Sequence, residues 1–271
     1  MGFRITPVVR YLLLINVGVF AFMALTGERY SDLFALFYFS SEFFHPYQIL
    51  THMFMHANLG HLFSNMFALF MFGPMLENLW GAKRFITFYL VCGLGAAFFY
   101  TAIQYYDYNK LKNEIIEYSA DPDPNSFGVI LHHSFDGFQR IEEGYKAFYG
   151  VYPEYKNNPT SVVLAKNSIE YLQDLYKIKV NNSPPIVGAS GAVMGILMAF
   201  GMLFPNTELF LMFIPIPIKA KYFVAFYGIY ELYAGVHRSP GDNVAHFAHI
   251  GGMIFAFILI KYWQRKRNTF Y

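Results

Sequence analysis

The stretch Pro185-Ile186-Val187-Gly188-Ala189-Ser190-Gly191-Ala192-Val193-Met194-Gly195 puts a glycine-framed serine at the entrance of an apolar segment that runs on to Phe204. The segment reads as a membrane helix with the serine at or near its first turn. There, unpaired N–H groups and the positive end of the helix dipole favour developing negative charge. Gly188 and Gly191 let backbone or substrate come close. Gly191, Gly195 and Ala199 repeat small side chains every four residues, a stripe that invites tight packing by another helix. A serine in this place can also be a plain helix cap, so the rest of the chain has to decide.

The composition is that of a membrane protein: of 271 residues, 55% are hydrophobic and only 14% charged. Mean hydropathy is +0.31. A net charge of +2 without a basic patch gives no reason to expect nucleic acid. The single cysteine, Cys92, excludes an internal disulfide and any cysteine-based metal cluster. Six apolar segments suggest spans. Helix one is Val8 to Leu25, helix two about Leu59 to Met75, helix three about Phe85 to Tyr105, helix four Ile186 to Phe204, helix five about Tyr222 to Val236 and helix six about Val244 to Trp263. The first could pass for a signal peptide, but further spans follow and no small-residue cleavage site is evident, so it is kept as a mature helix. Ser239-Pro240-Gly241-Asp242 reads as a turn between the last two.

Charge sets the orientation. Arg4, Arg10, Lys83, Arg84, Lys219, Lys221, Lys261, Arg265, Lys266 and Arg267 fall on one side of a six-helix arrangement, against Arg29 and Arg238 on the other. Both termini are therefore expected in the cytoplasm, and Ser190 and the starts of helices two and six toward the outer face. The membrane is expected to be a bacterial plasma membrane. Two parts are expected: residues 1–106 with 184–271 in the membrane, and an extracytoplasmic insertion at 107–183. The insertion is rich in Tyr, Asn, Asp and Glu and has no membrane-length apolar run. Ile169, Leu172, Leu175 and Tyr176 are spaced for an amphipathic helix over Ser168 to Val180. His132 and His133 read as surface histidines.

Ionisable and amide side chains in spans are costly and suggest function. His61 and Asn65 are four apart and share a face near the outer end of helix two if Asn58 caps it. His246 and His249 are three apart at the outer end of helix six, followed by Gly252 and Ala256, a small pair able to press against the helix-four stripe. That contact would bring a histidine to Ser190 and make an activated nucleophile. Ser190 N–H, His61 and Asn65 could supply the donors an oxyanion needs. No intramembrane aspartate is placed to orient the base, so a Ser-His dyad is expected. A metal site from His52, His56, His61 and His249 is disfavoured: one continuous helix would turn His61 roughly 140 to 180° from His52 and His56, and there is no H-E-x-x-H. His52 and His56 read as structural donors, and Glu77 and Glu231 as bundle-bonded or water-facing groups.

Three segments together resemble the rhomboid family of intramembrane serine proteases: His52-Met-Phe-Met-His56 through His61-Leu-Phe-Ser-Asn65, then Gly188-Ala-Ser190-Gly191, then Ala245-His-Phe-Ala-His249-Ile-Gly-Gly252. The likeness covers the membrane part and not the insertion. It implies an all-α six-helix membrane bundle with a water-filled cavity open to the outside. It also implies hydrolysis of transmembrane protein substrates within or near their spans, without cofactor or metal. By the family pattern Ser190 is the nucleophile, His249 the base, His61 and Asn65 the oxyanion side, and His246 a supporting residue or alternative base. The loop before helix two, and helix five with its following loop, would be gate and lid. Two positions depart: Tyr47-Gln48 replaces a Trp-Arg pair, and Met194 replaces an aromatic expected to stack on the base. The rivals are a non-catalytic rhomboid-like protein that binds transmembrane clients and a transporter, the latter without the internal symmetry expected of one.

Overall fold

The computed structural model describes residues 4–27, 30–211, 214–237 and 244–268. Arg29, Arg238 and the turn at 239–242 lie outside the described residues. The chain divides into two compact units, one of residues 1–37, 43–101 and 184–271, the other of 38–42 and 102–183.

The first unit is the helical membrane bundle. Helix one is Pro7–Leu25, opened by a proline whose missing N–H costs nothing at that position. Helix two is Leu59–Trp80, longer than its apolar run, and ends where Gly81 adopts φ +79°. Helix three starts at Ala82, helix four is Ser190–Leu203, helix five Ala220–Val236 and helix six His246–Asn268. Among the described residues, Pro7–Leu25, Leu59–Trp80, Ala82–Ala120 and His246–Arg265 are long and apolar enough to cross a membrane. Helix four has only 14 residues and helix five 17.

Helix four is the centre. It packs against helices two, five and six, and ten of its residues are buried. The small-residue stripe works as expected and serves two neighbours. A Cβ on Gly252 would collide with the Gly191 carbonyl, so helix six lies backbone to backbone on helix four. On the other flank a Cβ at Gly191 would strike Ala96, and one at Gly195 would come within 2.6 Å of Cys92, both on helix three. Between helices four and five the chain forms a two-stranded antiparallel hairpin, Glu208–Leu211 with Ile214–Lys219, which hydropathy did not anticipate.

The second unit is a packed helical body, not an open loop. Helix three continues without a break to Ala120 instead of ending near Tyr105. Leu111, Ile115 and Tyr118 keep helical spacing beyond its apolar part. They join Phe127, Leu131, Phe148, Tyr155, Leu172 and Leu175 in one apolar core. The expected amphipathic helix is Val162–Asn181, N-capped by Ser161, which accepts from Leu164 N–H at 3.3 Å. His132 and His133 are exposed.

Candidate active site

Ser190 is the first residue of helix four and Ala189 takes the capping position, so the serine is not the helix cap. The turn before it depends on Gly188, whose φ of +119° is rarely adopted by a residue with a side chain. Its N–H donates to the His52 carbonyl at 2.9 Å, and Ile186 pairs with Leu36 in an antiparallel bridge. The loop before helix two thus holds the serine turn by backbone hydrogen bonds, and Leu36 and Ile186 share one apolar cluster.

Asn58 caps helix two: its Oδ1 accepts from His61 N–H at 2.8 Å. The His61 ring lies against the serine turn. A Cβ on Gly188 would fall 2.7 Å from His61 Nε2 and 3.6 Å from Ser190 Oγ, so imidazole and hydroxyl flank one glycine. Asn65 is 5% exposed, and its Nδ2 has no hydrogen-bond partner among the described residues. A buried amide donor kept uncommitted is what an oxyanion requires.

On the opposite flank, a Cβ on Gly191 would lie 3.8 Å from the Ala248 carbonyl. With Gly252 packed on Gly191, this contact brings Ser190 and His249 to one end of the interface between helices four and six. His249 is not alone there. Glu231, on helix five and 2% exposed, has Oε2 2.7 Å from His246 Nδ1 and 2.9 Å from His249 Nδ1. The first is a hydrogen bond, whereas the second is close but off the line of one. A carboxylate, that of a glutamate and not an aspartate, stands beside the histidine. Of the two places open to Glu231, bonded within the bundle or facing water, it takes the first. Glu77 is likewise buried, accepting from Thr6 Oγ1 at 2.5 Å and from Val8 and Val9 N–H at 3.0 Å each. The Glu231, His246 and His249 donor atoms lie within 4.8 Å of one another, a set that could hold a metal ion and that differs from the one weighed in the sequence.

The other histidines divide. His52 Nδ1 bonds the Gln48 carbonyl at 2.9 Å, and burial pushes its pKa down to about 4. His56 is buried, and neither ring nitrogen makes a hydrogen bond of ordinary geometry among the described residues. Its ring stands edge-on to His61 at 5.1 Å, and burial, with His61 second, pushes its pKa down to about 4. The rotation that was to separate His61 from this pair does not apply, because a short 3-10 turn at His52–Phe54 and the residues after it break the helix.

Both departures from the family pattern have a structural answer. Gln48 is fully buried and organises the first loop: Oε1 accepts from Phe37 and His45 N–H at 3.4 and 3.1 Å, and Nε2 donates to the Asp32, Leu33 and Phe43 carbonyls at 2.9 to 3.3 Å. Met194 packs with Leu197, Val224, Tyr227 and Met253. The ring that faces His249 is that of His246, edge-on at 6.3 Å.

The Rhomboid domain family matches residues 44–149 and 160–266, running also through most of the insertion, which the three motif segments did not include. A protein named RHOMBOID-like protein 12, mitochondrial, from Arabidopsis thaliana is 23% identical over 98% of this chain. An uncharacterized mitochondrial rhomboid protein from Schizosaccharomyces pombe is 26% identical over 80% of it. The chain spans 60% and 52% of the length of these relatives. Both are named mitochondrial, which runs against the expectation of a bacterial plasma membrane. With the family match covering most of its length and its helices long and apolar enough for a bilayer, the chain is an integral membrane protein that belongs to the rhomboid family.

Proposed function

We propose that the protein is an intramembrane serine endopeptidase that cuts transmembrane proteins in or near their spans. Ser190 Oγ attacks the carbonyl carbon of the scissile peptide as His249 takes its proton. The tetrahedral oxyanion is held by Ser190 N–H, His61 and Asn65. His249 then protonates the leaving amine, the C–N bond breaks, and water releases the acyl-enzyme by the reverse proton path. The observation carrying this reading is the backbone contact of Gly191 with helix six, with His61 on the other side of the same turn. The partners are membrane substrates and lipid, and no cofactor or metal takes part.

A fluorophosphonate should label the wild-type protein in detergent and fail to label Ser190→Ala or His249→Ala. Labelling that survives Ser190→Ala moves the nucleophile elsewhere, and activity abolished by a chelator replaces the scheme with a metal-dependent one. The insertion is proposed to lie on the extracytoplasmic side, where it would filter or dock clients. In a Cys92→Ala background, Asp121→Cys should react with an impermeant maleimide from that side only. Deleting residues 107–183 without altering turnover of several substrates would remove the docking role.

A further inference from the structure

We infer that Glu231 is a positioning residue for the base, so that the reacting unit is Ser190-His249-Glu231, with His246 securing the carboxylate. This rests on the protease reading and adds to it a member from helix five.

The placement follows from how helices five and six meet. On helix five, Gly228, Glu231 and Gly235 are three and four apart and share a face. On helix six, His246, His249 and Met253 do the same. The two faces run antiparallel: a Cβ on Gly228 would sit 3.0 Å from Met253 Cε, and one on Gly235 would sit 3.3 Å from His246 Cβ. The glycines bring the helices close at both ends of the contact, and Glu231 between them reaches both imidazoles with one oxygen.

Burying a carboxylate is costly unless it is hydrogen-bonded or paired. The His246 bond at 2.7 Å and the His249 nitrogen at 2.9 Å supply that compensation. Tyr227 lies one turn earlier on helix five. A scaffold carboxylate could be served by any donors, but here both ring partners present Nδ1, and one of them belongs to the proposed base. Fixing Nδ1 of His249 toward Glu231 selects the tautomer with its proton on that atom and leaves Nε2 as the nitrogen able to accept from the serine. It also stabilises the imidazolium formed when Ser190 is deprotonated. The off-line geometry at His249 fits a resting state, because catalytic hydrogen bonds often straighten only when substrate binds.

The test uses the full-length protein in proteoliposomes with a single-span substrate, comparing Glu231→Gln and Glu231→Asp with wild type. Glu231→Gln should lower kcat on the order of 10²-fold with KM within about twofold, and Glu231→Asp should recover part of that loss. In ¹⁵N-histidine spectra, the signal absent from His249→Ala should report an Nδ1-protonated ring in wild type and a mixture of tautomers in Glu231→Gln. Unchanged kcat and tautomer in Glu231→Gln overturn the inference and leave the protease reading standing, whereas a wild type that neither cleaves nor labels overturns both. A loss that tracks unfolding and is not recovered by Asp makes Glu231 structural. Activity that disappears with EDTA and returns with zinc assigns the cluster to a metal, which also overturns the inference.

Discussion

Among the described residues of the membrane unit two glutamates stand buried, one near the last turn of helix two and one on helix five, and their neighbours set them apart. Glu77 faces Thr6 Oγ1 and the N–H groups of Val8 and Val9. It therefore caps helix one from another helix, since Thr6, in the capping position, makes no such bond itself. Glu231 faces two imidazoles. Amide N–H groups do not give up their protons in this chemistry, whereas an imidazole can both accept and donate one. Equal burial of the same side chain thus gives a fixed fastening in one place and a partner for proton transfer in the other.

The contrast can be broken by exchanging effects between the two sites. Glu77→Gln should cost about 3 kcal/mol of unfolding free energy, because an amide cannot serve three donors around a buried position, while kcat for the proposed proteolysis stays within about twofold. Glu231→Gln should do the opposite, with its loss in kcat and an unfolding shift of about 1 kcal/mol or less. Equilibrium unfolding in mixed micelles, run beside turnover, reads both, and a Glu77→Gln enzyme that is stable but slow would erase the distinction. Thr6→Ala removes one of the three donors and should cost about 1 to 2 kcal/mol. Acid acts through two buried histidines of the first loop. His52 and His56 have folded pKa values near 4, below the 6.5 of a free imidazole, so the unfolded chain binds more protons in between. Their contribution is complete above pH 6.5, declines as the pH falls, and is gone below about 4. His52→Gln should flatten that part of a stability profile.

Much of the membrane unit was legible because small-residue spacing and capping are local signals. The Gly191 and Gly195 stripe, the Gly252 contact and the Asn58 cap all follow from residues a few positions apart. Glu231 was visible as a residue but not as a partner, because its role depends on the antiparallel register between helices five and six. The His56–His61 approach escaped for the opposite reason: a rotation of about 100° per residue holds only along an unbroken helix, and the chain interrupts that helix after Phe54. Helix three was cut short because hydropathy marks where a segment stops being apolar, whereas helical hydrogen bonding continues through Asp107 and Lys110 as long as Leu111, Ile115 and Tyr118 find a core. The hairpin was hidden by Pro215 and Pro217, which argue against a strand except at a sheet edge, and a two-stranded ribbon is all edge.

The brevity of helix four turns it into a ruler. Its 14 residues measure about 21 Å, against roughly 30 Å of hydrocarbon. On the proposed protease reading, and with its far end set at one boundary of the hydrocarbon, the hydroxyl would stand about 9 Å inside the other, the depth of about six residues of an incoming helix. A client would then be cut at a distance measured from the bilayer surface as much as at a preferred sequence, and extending helix four by one turn should move the cut outward by about three to four residues.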